Sequence, residues 1–248
     1  MKTNNIINKL KINSSDIDFD TIKIHIVNFL KDKHNYNICI LSLFWSWNYG
    51  IWIEWQSDFD AIAVVIPTIE QLIRRQVISE EIEIPNWYGH IDIKDVYSFF
   101  QKITSLNYLE VVYSNCIIDN EFLDIFDFIK NKVVPNQSNA IKAKIISNFS
   151  AYKKQVQFEK DEIKKNKYLS HIYRLKILYD TFDKTWQLKF KLEWEQQEKC
   201  LNIKLWKQNI NIDEYNLPEI KSLDFKQDNN EILKQLENMV VEVVKKRF

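Results

Sequence analysis

Short apolar runs dominate the first half of the chain and alternate with segments of helical spacing. An apolar run bounded by turn residues is typical of a strand, whereas apolar residues three and four apart are typical of a helix. The runs predict strands at 37–44, 58–66, 81–84 and 90–93, the last two forming a hairpin around Pro85–Gly89. The helical spacing predicts helices at 16–33, 69–77, 95–103 and 121–132, with Thr68 and Asp95 as N-caps.

The pattern changes at Val134–Pro135–Asn136. Beyond this point strand patterns fade, and segments rich in Lys, Glu and Gln predict helices at 140–166, 170–183, 190–208 and 229–246, with a connecting loop at 211–227. We therefore expect two domains. Residues 1–135 combine strands and helices, and residues 136–248 are helical.

The composition restricts the classes of protein to which the chain can belong. Its 248 residues carry a formal net charge of zero, which argues against a strongly electrostatic, non-specific nucleic-acid binder. Cys39, Cys116 and Cys200 are widely spaced and form no zinc or disulfide pattern, which suits a reducing cytosol. The polar N-terminus is not a signal peptide, and no apolar run reaches the ~20 residues of a membrane span. We expect a cytoplasmic protein without membrane contact.

Two carboxylates two positions apart, Asp58 and Asp60, are the strongest candidates for chemistry. On a strand such residues point to the same side, and the apolar run from Ala61 to Ile66 places them at one end of a buried strand. Two ionised carboxylates side by side repel each other unless a cation lies between them, and hard oxygen ligands suit Mg²⁺. The alternative is an exposed, acidic strand end that binds nothing, which for an isolated Asp-x-Asp is the commoner case.

The residues around this pair resemble the nucleotidyltransferase superfamily, with its polymerase-β-like fold, and in particular its bacterial and phage predicted nucleotidyltransferases. The family pattern is a strand, a Gly-Ser turn, a short Tyr-Gly loop, Ser-Asp-x-Asp and an apolar strand that ends near Pro-Thr. This chain has Ser46, Tyr49-Gly50, Ser57-Asp58-Phe59-Asp60 and Pro67-Thr68 in the same order. The resemblance implies an α+β fold: a nucleotidyltransferase-type mixed sheet with flanking helices, followed by an α-helical C-terminal domain.

The resemblance also implies a reaction, the transfer of a nucleoside monophosphate from ATP or another NTP to a hydroxyl acceptor. Asp58, Asp60 and a third carboxylate from a neighbouring strand would hold two Mg²⁺ ions, which activate the hydroxyl and neutralise the leaving pyrophosphate. We expect the third carboxylate to be Asp92, which could also take the hydroxyl proton, with Glu83 as the second choice. The acceptor remains open between a small molecule, a protein side chain and RNA, and the oligomeric state is open as well.

The loop before Asp58 corresponds to the segment with which the family binds nucleotide phosphates. It supplies Trp45, Ser46, Tyr49 and Ser57 as expected nucleotide-binding residues, with Ser46 on the β- and γ-phosphates. These roles follow from the resemblance.

The helical half adds a cationic segment, in which Lys167, His171 and Arg174 fall on one helix face at i, i+4 and i+7. The family has a Lys-x-x-x-His-x-x-Arg-Leu segment here. Such a face would neutralise triphosphate charge. A solvated basic face is the alternative interpretation.

Trp45 departs from the family, which has glycine at this position so that the backbone can approach phosphate. The chain has two glycines and eight tryptophans, although average glycine usage is about 7%. Several tryptophans fall where turns or helix ends favour glycine: Trp45, Trp52, Trp55, Trp87, Trp186 and Trp206. We hypothesise that several are encoded by UGA, which some bacterial lineages read as glycine and other codes read as tryptophan. The alternative is that they are ordinary core or surface aromatics.

If Trp45 is genuine, a second function becomes attractive. The chain would then be a catalytically inactive nucleotidyltransferase-fold binding module, antitoxin-like or regulatory. An RNA-processing enzyme of the same superfamily is a third option, which the neutral net charge disfavours.

Overall fold

Two compact units make up the structure. The computed structural model describes residues 19–43, 48–51, 60–83, 89–208, 210–225 and 229–248. The first unit takes its described residues from 1–48, 52–128 and 235–248, and the second takes them from 49–51 and 129–234. The break near residue 129 lies close to the predicted boundary at 135/136. Residues 235–248 belong to the first unit, whereas the sequence placed them with the helical domain.

The described part of the first unit contains a five-stranded mixed sheet. Its strands are β1 (Ile38–Leu43), β2 (Ala61–Val65), β3 (Ser79–Glu83), β4 (His90–Asp95) and β5 (Ile117–Ile118). Their order is β3-β4-β2-β1-β5. The central pair β2–β4 is parallel, and the other neighbouring pairs are antiparallel. This confirms the predicted α+β class and mixed sheet, and also the hairpin of β3 and β4.

The core of this unit forms because one face of the sheet is apolar. All five residues of β2 are buried, as expected for a strand that is covered on both faces. On one face, Ala61, Ala63 and Val65 join residues of β1 and β4 in a cluster that also contains Ile22, Ile26 and Leu30. These last three recur at helical spacing in α1 (Phe19–His34), so α1 covers this face.

Four further helical segments complete the first unit up to residue 128. They are α2 (Ile69–Ile73), α3 (Val96–Thr104), α4 (Leu109–Val112) and α5 (Leu123–Phe128). Thr68 caps α2 and Asp95 caps α3, as predicted. The α2 helix ends at Ile73 rather than at the predicted Val77, because Arg75 adopts a left-handed backbone conformation that stops it.

The helix α10 (Glu231–Lys245) brings the C-terminal part of the chain back to the first unit. Its Leu236, Val240 and Val244 recur every four residues and are almost fully buried. Beyond the helix, Arg247 forms an ion pair with Asp119 at 2.7 Å.

The second unit is helical in its described part. A π-helical turn at Ile129–Val133 opens it, followed by α6 (Val134–Asn136), α7 (Ser138–Phe158), α8 (Glu162–Thr185) and α9 (Trp194–Lys204). Two 3₁₀ turns, Ile212–Glu214 and Ile220–Ser222, lie in the segment predicted as a connecting loop. A helical region after the sheet is therefore confirmed.

The boundary between the two long helices corrects a sequence prediction. One helix was predicted over 140–166 and the next from 170, but the break falls at residues 159–161. There the Asp161 carboxylate accepts hydrogen bonds from the backbone N–H groups of Ile163 and Lys164, which starts α8. The predicted helix 190–208 is likewise shorter, since α9 covers only Trp194–Lys204. In the described ranges, no helix is both long and apolar enough to span a bilayer.

Candidate functional site

The predicted site residues fall into three groups. Trp45, Ser46, Ser57 and Asp58 lie outside the described residues. Asp60 and Asp92 belong to the sheet unit, whereas Tyr49, Lys167, His171 and Arg174 belong to the helical unit. The described candidates are therefore divided between the two units.

Asp60 and Asp92 lie on adjacent parallel strands. Ala61 pairs with Ile91 and Ile62 pairs with Asp92, so Asp60 stands one residue before β2 and Asp92 is in β4. Residues that pair across strands share a face, and alternate residues along a strand do so too. Asp60, Ile62 and Asp92 are therefore on the same face, opposite the one covered by α1.

The Asp92 carboxylate is held by two neighbours that were not among the predicted site residues. Lys94 forms an ion pair with it at 2.8 Å and also donates a hydrogen bond to Ser79 Oγ at 2.8 Å. The Tyr108 hydroxyl donates to Asp92 Oδ2 at 3.2 Å. Burial, and secondarily the Asp92 charge, raise the pKa of Tyr108 to about 12, so this hydroxyl remains a donor at neutral pH.

A sequence signal existed for one of these two neighbours. Lys94 follows Asp92 by two positions in a strand, so both side chains had to lie on one face. Tyr108 lies after the helix α3, and its approach to Asp92 depends on tertiary packing, including a stacked contact with Phe99 at 6.0 Å. No local pattern indicates that approach.

Other acidic residues share this face at the edge of the sheet. Glu81 is directly opposite Asp92 in the β3–β4 pairing, and Glu83 is opposite His90. His90 Nδ1 lies 3.0 Å from Glu81 Oε1. Among the described residues, no three acidic, His or Cys side chains converge closely enough to hold a metal ion. Any such site would need a contribution from outside them, for which Asp58 is the predicted residue.

In the helical unit, Tyr49 and Arg174 form a close cation–π contact. The Arg174 guanidinium carbon is 3.5 Å from the Tyr49 ring centroid, and both side chains are buried. Tyr49 also packs against Phe190, with ring centroids 6.1 Å apart, and its carbonyl accepts a hydrogen bond from Leu192 N–H at 3.3 Å. These contacts attach the segment 49–51 to the helical unit.

The helix α8 contains Lys167, His171 and Arg174, as predicted. His171 and Arg174 are buried, so this face is not the solvated basic surface that was the alternative interpretation; Lys167 is exposed. His171 stacks obliquely on Tyr152, with ring centroids 4.8 Å apart.

The electrostatic environment of His171 is cationic. Burial lowers the pKa of its imidazole well below the usual value, and the charges of Arg174, Lys167 and Lys204 lower it further. His171 is therefore neutral at physiological pH, and three cations surround it. Positive charge concentrated around a buried position favours the binding of an anion.

In comparisons with known proteins, the chain matches no protein-family model, and no curated protein is significantly similar to it.

Proposed function

We propose that the protein is a metal-dependent nucleotidyltransferase that moves a nucleoside monophosphate from ATP or another NTP to a hydroxyl acceptor. The observation that supports this most directly is the placement of Asp60 and Asp92 on one face of two adjacent parallel strands. The resemblance of the segment 44–68 to the nucleotidyltransferase superfamily supplies the reaction type. The five-stranded mixed sheet is compatible with it.

The donor set suits the two Mg²⁺ ions that this chemistry uses. Asp60 and Asp92 offer carboxylate oxygens on a common face, and Asp58 precedes Asp60 by two positions. We propose that Asp58, Asp60 and Asp92 hold the metal. When bound, it would supply a positive charge that stabilises the phosphate oxygens during transfer.

The neighbours of Asp92 would set its orientation. Lys94 and Tyr108 both contact its carboxylate, at 2.8 Å and 3.2 Å, so its side chain has few alternative rotamers. A carboxylate held in this way is preorganised for a ligand. In this proposal Asp92 also accepts the proton of the acceptor hydroxyl.

The cationic cluster of the helical unit supports a role in nucleotide binding. Lys167, Arg174 and Lys204 surround the neutral His171. Their charge is suited to the phosphates of an NTP, for which guanidinium and ammonium groups are the usual protein partners.

The test is turnover of labelled NTP by matched carboxylate variants. Asp60→Asn and Asp92→Asn remove a metal ligand with little change of shape, and each should lower transfer more than about a hundredfold, because the metal contributes several kcal/mol. Glu81→Gln is the control, since Glu81 pairs with Asp92 in the sheet but is exposed and has no assigned role. Unchanged turnover in both Asp variants would refute the proposal.

A second candidate is a catalytically inactive binding module of the same fold, antitoxin-like or regulatory. The ion pair between Lys94 and Asp92 favours it, because Lys94 already neutralises the third carboxylate. Trp45 favours it as well, if tryptophan is the residue at that position in the cell. Calorimetry with ATP and Mg²⁺ would separate the two functions: binding without turnover indicates the module.

A further inference from the structure

The three tryptophans that the structure describes are all exposed. Trp186, Trp194 and Trp206 expose 48%, 77% and 53% of their surface. Tryptophan is highly buried on average, because removing its large ring from water is favourable. These side chains therefore contribute little of the core stabilisation for which tryptophan is usually retained.

Two of these tryptophans also have a left-handed backbone. Trp186 ends α8 with φ 58° and ψ 18°, and Trp206 has φ 65° directly after Leu205, the C-cap of α9. A residue with a Cβ atom is strained in this region, whereas glycine is not. Trp194, in the first turn of α9, is not among the residues of positive φ.

The hydrogen bonds at both sites are those that end a helix. Trp186 N–H donates to Phe182 O at 2.9 Å, and after α9 the Lys207 N–H donates to Asn202 O at 2.8 Å. Glycine is the commonest residue at the left-handed position of such helix ends. The sequence alone had already singled out these two tryptophans as lying where glycine is favoured.

We infer that the cell places glycine at positions 186 and 206, from UGA codons that its translation machinery reads as glycine. The composition supports this inference, since two glycines in 248 residues are far below the average usage of about 7%. Asn35, Arg75, Leu106 and Tyr108 also have positive φ, which is what a glycine-poor chain requires at its turns. Arg75 provides a measure of that strain that is independent of tryptophan.

The inference has a consequence for position 45, and there it rests on the proposed function. A UGA codon read as glycine at that position would place a Gly-Ser turn before the carboxylates, as the resemblance to nucleotidyltransferases requires. The evidence at positions 186 and 206 is independent of any activity.

The decisive measurement combines the gene with the protein from its source cells. We expect UGA at codons 186 and 206, and we expect mass spectrometry of the peptide Thr185–Lys189 to show glycine in place of Trp186. A UGG codon at either position overturns the inference there. A tryptophan-containing peptide overturns it as well, even if the codon is UGA.

Stability measurements test the physical basis. W206G should lower the unfolding equilibrium constant about 5- to 30-fold by relieving the left-handed strain. R75G calibrates this gain at an exposed left-handed position, and W194G, within a helix, should raise the unfolding constant. W186G should gain less than W206G, because it loses contacts with Phe182 and Lys142. A W206G variant no more stable than the parent chain would contradict this basis.

Turnover by W45G separates the two proposals. Glycine in the peptide together with an inactive W45G would leave the residue assignment standing and count against nucleotidyl transfer. Tryptophan in the peptide together with an active parent chain would overturn the residue assignment and support nucleotidyl transfer.

Discussion

The guanidinium of Arg174 lies against the face of the Tyr49 ring, at 3.5 Å from its centroid, and both side chains are removed from solvent. Among the described residues, no carboxylate forms an ion pair with Arg174. The ring therefore supplies an important part of the compensation for this buried cation. A cation–π contact is worth about 2 kcal/mol or more when it is desolvated.

Tyr49→Leu should accordingly lower the free energy of unfolding by about 2 kcal/mol, because the aliphatic side chain offers no π face to the cation. Tyr49→Phe keeps that face and is the matched control, for which we expect less than half of this loss. Urea denaturation followed by circular dichroism measures both. Equal losses in the two variants would show that the hydroxyl, rather than the ring, is what matters.

The buried His171 predicts a loss of stability in mild acid. Burial and the neighbouring cations lower the pKa of His171 in the folded state, so the unfolded chain binds the proton more readily. Stability is therefore fully present above the unfolded value of about 6.5 and falls as the pH decreases below it, by up to about 1.4 kcal/mol per pH unit.

Denaturation at a series of pH values tests this prediction, with His171→Gln as the comparison. The glutamine variant cannot take up the proton and should lose the part of the pH dependence that His171 contributes. Identical slopes for the parent chain and the variant between pH 6.5 and the acid limit of the native state would argue against a neutral, buried imidazole.

Two aspartate N-caps should differ in importance because their burial differs. The Asp95 carboxylate is 5% exposed and accepts hydrogen bonds from Ser98 N–H at 2.8 Å and Ile78 N–H at 3.2 Å. Asp161 caps α8 at an exposed position. Asp95→Ala should lower stability by about 2–4 kcal/mol, the loss of the cap plus an unsatisfied buried donor, and Asp161→Ala by about 1 kcal/mol. Thermal unfolding of the two variants side by side would reveal whether this ranking holds.

The ion pair of Asp92 and Lys94 should show measurable coupling. Their side chains are 31% and 17% exposed, so solvent screens the pair only in part. A double-mutant cycle with Asp92→Asn and Lys94→Gln should give a coupling free energy of about 1 kcal/mol. The same cycle on the exposed pair Glu70–Arg74, which should give less than half of that value, is the control.

The sequence predicted those parts of the fold that depend on local pattern. The run 61–66 could only be a buried strand, and Thr68 and Asp95 carry recognisable capping signals. The break at residues 159–161 was missed because helical periodicity continues across it, although Asp161 is a good N-cap residue. Periodicity outweighed capping in that prediction, and the structure shows the opposite order.

The site could be predicted only as far as strand parity reaches. The common face of Asp60 and Asp92 follows from alternation once the two strands are known to be parallel neighbours. The contact of Tyr49 with Arg174 joins residues far apart in the chain, and it depends on how the segment 49–51 packs on α8. No spacing rule encodes such a contact, so both residues were assigned to nucleotide binding alone.

The return of residues 235–248 to the first unit has a consequence for biosynthesis. Leu236, Val240 and Val244 bury themselves there, yet they are translated only after the whole helical unit has left the ribosome. The nascent sheet must wait with this apolar surface uncovered while the helices that follow it are made. A stop codon introduced before residue 235 would leave a polypeptide exposed to chaperones and proteases, even though every strand has already been synthesised.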